Sequence, residues 1–143
     1  MFLGEYKHSV DEKGRIVLPR KFRDDLTKGC VITKGQDRCL YVFPPGHWQQ
    51  HAEQVTALSR LDKNARAYAR AFFSGSSEQS PDRQGRIALP EILRSYASID
   101  RDVRIVGVGE RIEIWSEAAW SGIADELDTA YADIQESLTG EGI

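Results

Sequence analysis

The chain contains an internal duplication, and this feature limits its possible folds more than any other. Residues 2–23 align with residues 73–94 at a shift of 71 positions, and 10 of the 22 aligned pairs are identical. Average residue usage predicts about one or two identities over this length. The identical residues of the first copy are Phe2, Gly4, Ser9, Asp11, Gly14, Arg15, Ile16, Leu18, Pro19 and Arg23. With one inserted residue the alignment continues through the pairs Val31/Val103, Gly35/Gly107 and Trp48/Trp120. The chain therefore holds two copies of one module.

Each copy begins with a pattern that is typical of a β-hairpin. Apolar and polar side chains alternate between Phe2 and Val10, which predicts a strand. Residues 11–14 then form a predicted turn, because Asp hydrogen-bonds its following backbone and Gly accepts a positive φ. Residues 15–18 form the return strand. The second copy repeats this plan around a turn at residues 82–85.

A short helix, a second hairpin and a longer helix follow in the first copy. Pro19 suits the first position of a helix, and Gly29 is placed to end it. Two apolar runs around residues 34–37 predict a second hairpin with Gly35 at its turn. A helix then begins near Pro45, and the second copy has the same order of elements.

Two further amphipathic helices are predicted. Residues 61–72 place Leu61, Ala65, Tyr68 and Phe72 on one stripe, which suits a linking helix. A C-terminal helix capped by Ser116 carries an apolar stripe of Trp120, Ile123, Leu127, Tyr131, Ile134 and Leu138. That stripe suits a neighbouring helix or subunit, or it covers its own module. The predicted domains are residues 1–60, the linking helix 61–72, and residues 73–143 with the C-terminal helix.

Charge is distributed unevenly along the chain, although the net charge is only −3. Residues 1–23 hold six basic and three acidic side chains, so 6 − 3 gives +3, whereas residues 117–143 hold seven acidic and no basic ones, giving −7. The equivalent segment of the second copy, residues 73–94, has three of each sign and sums to zero. The basic N-terminal segment is therefore suited to phosphate, with the acidic C-terminal segment pointing elsewhere.

Other protein classes find little support in the sequence. Cys30 and Cys39 have no zinc-ligand spacing and are expected to be buried fillers. His47 and His51 lack a third ligand, and no convergent nucleophile and base suggest an enzyme, so neither a catalytic site, a metal nor a cofactor is expected. No apolar run is long enough to cross a bilayer, and the N-terminus lacks the pattern of a secretory signal. A cytoplasmic location is therefore expected.

The motif Asp-x-x-Gly-Arg-Ile-x-Leu-Pro occurs at residues 11–19 and again at 82–90. Asp11 and Arg15 lie across a tight turn, so the carboxylate can hold the guanidinium and leave its other donors free for phosphate or a guanine edge. The pair can also do no more than brace the turn, since surface ion pairs contribute about 1 kcal/mol or less. Asp82 and Arg86 repeat this arrangement in the second copy.

The basic side chains around the first turn are suited to phosphate, and hence to a nucleic acid. The candidate residues for such a DNA contact are Lys7, Lys13, Arg15, Arg20, Lys21, Arg23, Arg83 and Arg86, and the bracing residues are Asp11 and Asp82. In the second copy Gln84, Glu91 and Ile92 replace Lys13, Arg20 and Lys21. The first copy is therefore expected to dominate the contact, with Arg86 in a structural role or a lesser contact.

The doubled motif resembles the AbrB-like superfamily of swapped-hairpin DNA-binding proteins. Two modules in one chain, the start MF-x-G and the Asp11/Arg15 and Asp82/Arg86 pairs are similar to the MraZ family over essentially the whole chain. The resemblance implies an α+β fold in which the copies interlock about a pseudo-twofold axis as one β-barrel with flanking helices. It also implies a ring-like homo-oligomer that regulates the bacterial division and cell-wall gene cluster at repeated promoter boxes of double-stranded DNA, in association with the nucleoid.

Two other interpretations remain open at this point. The same superfamily includes antitoxins, which hold a toxin with an extended tail, so an antitoxin-like binding module is one alternative. A purely structural ring protein is the other, because a segment of charge +3 and one of charge −7 could join subunits.

Overall fold

A computed structural model describes residues 1–134 of the chain. Its strands are β1 (Glu5–Ser9), β2 (Arg15–Val17), β3 (Cys30–Lys34), β4 (Leu40–Phe43), β5 (Ser77–Gln79), β6 (Arg86–Ala88), β7 (Asp102–Gly107) and β8 (Ile112–Ser116). Its helices are α1 (Arg20–Arg23), α2 (Pro45–Thr56), α3 (Lys63–Ser74), α4 (Glu91–Tyr96) and α5 (Glu117–Asp133), with short 3-10 helices at Asp24–Leu26 and Gln36–Arg38. The predicted α+β class is confirmed.

The strands of the two copies exchange partners within one antiparallel sheet, whose order is β1-β7-β8-β4-β3-β5. Strand β1 of the first copy pairs with β7 of the second, so that Tyr6 lies opposite Ile105. In return, β5 of the second copy pairs with β3 of the first, and Glu78 lies opposite Val31. Each copy thus adds its first strand to the hairpin of the other, which confirms the swapped-hairpin arrangement.

A separate two-stranded ribbon of β2 and β6 completes the interlocking. Ile16 and Ile87 face each other across this ribbon, and each is only 1% exposed. Among the described residues, the larger sheet ends at β1 and β5 and does not close on itself through hydrogen bonds. The interlocked copies therefore form an open sheet with a ribbon packed on the same core, where the family resemblance implied one β-barrel.

One hydrophobic core is shared by both copies. Leu18 and Phe22 of the first copy lie in the same buried cluster as their counterparts Leu89 and Leu93 of the second. Phe22 also meets Phe2 edge to face, with 5.2 Å between the ring centroids. Because the buried faces come from alternating copies, neither copy has a complete core of its own.

The second hairpin of the first copy has Gly35 at its turn, as predicted. The φ of Gly35 is −103°, and the positive φ angles of this turn belong to Asp37 (60°) and Arg38 (61°). A glycine is needed at position 35 for space, because an added Cβ would lie 2.5 Å from the Tyr41 ring. The predicted hairpin is therefore confirmed, and its glycine provides room for the Tyr41 ring.

The linking helix begins later than its apolar stripe suggests. Asp62 caps α3 by accepting a hydrogen bond from the backbone N of Asn64 at 2.7 Å, and α3 starts at Lys63. Leu61 therefore lies outside the helix and is 94% exposed. Phe72 is buried as expected and stacks on Trp48 of α2, with 5.0 Å between the ring centroids.

Helix α5 is covered by the sheet along only part of its length. Ser116 caps it as predicted, because its hydroxyl accepts a backbone N–H of the first turn at 3.1 Å. Trp120 is buried, whereas Leu127 is 46% and Tyr131 84% exposed. Leu138, the last residue of the predicted stripe, lies outside the described residues. The apolar stripe therefore continues beyond the part of the helix that packs on the sheet.

The two cysteines are buried side chains of the interior. Both are free thiols, and Cys30 is 3% and Cys39 1% exposed. Burial raises the pKa of the Cys30 thiol to about 12 and raises that of Cys39 further. The prediction that they fill space in the interior is confirmed.

Candidate nucleic-acid interface

Each outer hairpin turn is organised by its aspartate. In the first turn, one carboxylate oxygen of Asp11 accepts hydrogen bonds from the backbone N of Lys13 and of Arg15, both at 2.9 Å. The Gly14 N–H closes the turn on the Asp11 carbonyl at 3.0 Å, and Gly14 has a φ of +77°. This arrangement is why the motif needs Asp at its first position and Gly at its fourth.

The same aspartate holds the arginine side chain. The second Asp11 oxygen accepts from Arg15 Nε at 2.9 Å, and Asp82 accepts from Arg86 Nε at 2.7 Å. These hydrogen bonds, led by the one from the backbone N of the same arginine, hold the pKa of both carboxyls below the ordinary value. Within the described part of the chain the Nη atoms of both arginines make no hydrogen bond, so two donor groups of each remain for a ligand.

The ribbon brings these two arginines to one surface. Its register places Arg15 opposite Ala88 and Arg86 opposite Val17. These four residues alternate with the buried Ile16/Ile87 pair, so they share the outer face of the ribbon. Arg15 and Arg86 are thus diagonal neighbours across a strand pair, a spacing of roughly 7–8 Å.

A second pair of arginines supports the turns from the opposite copy. Arg23 donates from Nε to the Leu18 carbonyl at 3.0 Å, and Arg94 donates in the same way to the Leu89 carbonyl at 2.9 Å. A Cβ added to Gly85 would overlap the Arg23 guanidinium, and one added to Gly14 would lie 3.2 Å from Arg94 Cζ. Each of these arginines therefore lies beneath the turn of the other copy.

The structure thus places Arg23 beneath the Gly85 turn, and its contact with DNA stays a prediction. Arg94 was missed altogether in the sequence. The available signal was that arginine occupies the same position in both copies of the repeat, as Arg23 and as Arg94, 71 residues apart.

The remaining basic candidates lie at different distances from the ribbon. Lys13 and Arg83 are exposed in the two turns, and Arg20 and Lys21 are exposed on α1. Lys7 is exposed on β1, where its charge helps to lower the pKa of Glu117 after the larger effect of Arg104. Lys7 therefore belongs to a mixed-charge region near the start of α5.

The described residues were also compared with the requirements of a metal site and of a membrane span. In residues 1–134 no three His, Cys, Asp or Glu side chains are grouped closely enough to hold a metal ion. The His51 ring stacks on Phe43, with 5.3 Å between the centroids, which gives this histidine a packing role. No helix in the described residues has both the length and the apolar character that a membrane span requires.

The exchanged hairpins, with two Asp-held arginines on a shared ribbon, define a duplicated AbrB-like swapped-hairpin protein. Comparison with protein families matches residues 1–71 and again 72–140 to the family described as "MraZ protein, putative antitoxin-like". The chain belongs to the MraZ family.

Full-length relatives agree with this assignment. The chain is 48% identical to "Transcriptional regulator MraZ" of Salinispora tropica over 138 residues, which cover 96% of this chain and 97% of the relative. It is 46% identical to the protein of the same name from Desulfitobacterium hafniense over 143 residues, which cover 100% of both chains. Neither name denotes an enzyme.

Proposed function

We propose that this protein is a sequence-specific DNA-binding transcriptional regulator and that the β2–β6 ribbon is its DNA-contacting surface. The name of the relatives supports a role in transcription. The observation that carries the proposal is the position of Arg15 and Arg86 on one outer face of one ribbon. Their Nη atoms make no hydrogen bond to residues 1–134.

A two-stranded ribbon has the right dimensions for the major groove of B-DNA. An arginine whose Nη atoms are free donates to the O6 and N7 of a guanine, or to a phosphate. Because Asp11 and Asp82 already fix the two side chains, each arginine loses little rotamer freedom on binding. The aspartates therefore orient the donors, and the DNA takes up the remaining hydrogen bonds.

The flanking basic residues have different parts in this proposal. Lys13 and Arg83 at the turns contact phosphates beside the groove. Arg20 and Lys21 extend the basic surface on the side of the first copy. The equivalent residues of the second copy, Glu91 and Ile92, are not basic. Lys7 and Arg23 add to the positive electrostatic potential of residues 1–23, and Arg23 also supports the Gly85 turn. The first copy therefore supplies the larger share of the affinity.

The finer parts of the function rest on the family resemblance and on charge. One ribbon meets only a few phosphates, which gives weak binding at physiological salt. Several ribbons on one homo-oligomer would bind repeated boxes together. We therefore propose that the protein binds repeated promoter boxes of the division and cell-wall gene cluster as a ring-like homo-oligomer on the chromosome.

An antitoxin-like binding module is the second candidate, because the family description contains that term. Antitoxins of this superfamily hold their toxin with an extended tail, whereas residues 117–133 form a helix here. A structural ring protein that uses its basic segment only for subunit contacts is separated from both by the absence of DNA binding.

Selection of bound fragments from random DNA by the purified chain tests the proposal, followed by titration of the selected site. Arg15→Ala should weaken binding by about 1–3 kcal/mol, with a smaller loss for Arg86→Ala and little change in melting temperature. Lys63→Ala, which removes an exposed charge on α3, is the matched control.

The outcomes separate the possible roles of Arg15. A greater loss on the selected site than on random DNA indicates a base contact, whereas an equal loss on both indicates a phosphate contact. If Arg15→Ala lowers the melting temperature and leaves the titration unchanged, the residue only braces its turn. If no sequence is enriched, the regulator proposal is wrong.

A further inference from the structure

A cavity of about 210 Å³ lies where helices α2 and α3 meet strand β4 and the turn between β7 and β8. Side chains with rings form much of its wall, namely Tyr41, Phe43, His51 and Tyr68. We call this site the aromatic cavity. Sites for drug-sized ligands have volumes of about 300–1,000 Å³, so the aromatic cavity is suited to a smaller compound with a single ring.

Arg111 lines the aromatic cavity and is held in one orientation. Its guanidinium lies over the Tyr41 ring, with 4.4 Å between Cζ and the ring centroid. Its Nε and Nη2 donate to one carboxylate oxygen of Glu113 at 3.1 and 2.7 Å. The other oxygen of Glu113 accepts from Trp115 Nε1 at 3.0 Å, and Trp115 is buried. A ligand of Arg111 would therefore meet a guanidinium that is already fixed.

One edge of this guanidinium is left for a ligand. A guanidinium presents its donors in a planar fork that binds a carboxylate through two parallel hydrogen bonds. Glu113 takes the edge formed by Nε and Nη2, whereas Nη1 makes no hydrogen bond to residues 1–134. The Arg111 side chain is 31% exposed, so its Nη1–Nη2 edge can be reached. That edge fits a planar carboxylate.

Neighbouring charges limit the charge of such a ligand. Burial, and after it the charge of Arg111, lowers the pKa of His51, which favours the neutral form of that ring. Glu110 also lines the aromatic cavity and is exposed. A second negative charge on the ligand would be repelled by Glu110, so a monocarboxylate fits better than a dicarboxylate.

The hairpin fold does not require this group of contacts. Arg111, Glu113 and Trp115 belong to the second hairpin of the second copy. Their equivalents in the first copy, at the shift of 72 residues, are Cys39, Tyr41 and Phe43. The first copy forms its hairpin with the same pairing of strands and with no ion pair at these positions. The ion pair of the second copy is therefore an addition to the hairpin, and it faces a cavity.

We propose that the aromatic cavity binds a small aromatic monocarboxylate, with the carboxylate on the Nη1–Nη2 edge of Arg111. The ligand ring then packs against the rings of Phe43 and Tyr68, which adds apolar and edge-to-face contacts to the charge-assisted hydrogen bonds. The inference goes beyond the proposed function and does not depend on it, because Arg15 and Arg86 of the ribbon take no part.

Calorimetric titration of the full-length chain without DNA tests the inference, with benzoate as the probe. Benzoate should bind at one site per chain, with a dissociation constant on the order of 1 mM or lower. Benzamide keeps the ring and loses the charge, and cyclohexanecarboxylate keeps the charge and loses the aromatic ring. Both should bind about tenfold more weakly or worse, because each lacks one of the two kinds of contact.

Two variants test the two parts of the site. Arg111→Lys keeps the positive charge but loses the planar fork, and should weaken benzoate binding by about tenfold or more. Tyr68→Leu removes a partly exposed ring from the wall, and should weaken binding severalfold. Arg101→Lys makes the same exchange at an exposed arginine outside the cavity, and should bind benzoate like the unmodified chain. Circular dichroism melting checks that all three variants fold.

Three results would overturn the inference. Benzoate could fail to bind the unmodified chain, or the three compounds could bind alike, which would indicate weak association without a built site. Alternatively, Arg111→Lys could melt at a lower temperature and still bind benzoate like the unmodified chain, which would show that Arg111 only braces its hairpin. A gel shift of Arg111→Lys on the selected DNA site is a separate readout, since this variant keeps both arginines of the ribbon.

Discussion

At the residue scale, one aspartate in each turn fixes both the backbone and the side chain of its arginine. Asp11 accepts two backbone N–H groups and the Arg15 Nε, and Asp82 does the same for its own turn. An alanine at this position would release the turn and the guanidinium together. The two possible roles of the motif, bracing and orienting a DNA contact, are therefore carried by the same carboxylate.

The charge of these carboxylates predicts a dependence of stability on pH. The pKa of both is lowered from 3.8, first by the backbone hydrogen bond from Arg15 or Arg86. A carboxyl with a depressed folded pKa stabilises the fold above its unfolded pKa and loses that effect as pH falls through the folded pKa. The double variant Asp11→Asn, Asp82→Asn should therefore melt below the unmodified chain at neutral pH, and the difference should shrink below about pH 4.

Melting curves followed by circular dichroism between about pH 2.5 and pH 7 measure this difference. Asp100→Asn, at an exposed carboxylate outside both turns, is the matched control. A difference that stays constant across the whole range would show that the charge of Asp11 and Asp82 contributes nothing.

At the scale of elements, the ribbon and its two turns depend on arginines from opposite copies. Gly14 and Gly85 both have a φ of +77°, so alanine costs about 1–2 kcal/mol at either position through backbone strain. A Cβ at Gly85 would also displace Arg23 from the Leu18 carbonyl, whereas the contact of Gly14 with Arg94 is looser. Gly85→Ala should therefore destabilise the chain more than Gly14→Ala does.

Urea unfolding of a double-mutant cycle checks the cause. In the Arg23→Ala background, Gly85→Ala should cost about as much as Gly14→Ala, because the side chain it displaces is gone. A coupling between positions 23 and 85 of about 0.5 kcal/mol or more is expected. Additive effects would mean that the arginine does not support the turn.

Many of the strands, turns and helix ends can be predicted from local sequence signals. Alternation, the Asp-x-x-Gly turns and the Ser116 cap predicted their elements correctly because each depends on neighbouring residues. The pairing of β2 with β6 has no local signal, since its partners lie about 71 residues apart in the repeat. The prediction of a DNA surface centred on the first copy came from summing the charges of each copy separately. Such sums contain no information about strand pairing, so they could not show that Arg15 and Arg86 share a face.

At the scale of the whole molecule, interlocking makes the two copies dependent on each other. Separate fragments of residues 1–61 and 62–143 leave β1 without β7 and β3 without β5, and each has too short a chain to bury a full core. Each fragment alone should be unfolded or aggregated, and mixing them should restore the circular dichroism spectrum of the intact chain. A monomeric fragment that melts cooperatively would contradict this.

The proposed homo-oligomer predicts how the protein binds DNA with repeated boxes. If several ribbons lie on one homo-oligomer, two boxes bound together gain roughly 10²–10⁴ in avidity over one box, provided that their spacing matches that of the subunits. Shifting one box by about half a helical turn carries it to the opposite side of the duplex and removes this gain. Titration at low and moderate salt should therefore rank two boxes in phase above two out of phase, with the latter close to a single box. Equal binding of the three probes by the unmodified chain would exclude multivalent binding and leave single-site DNA binding intact.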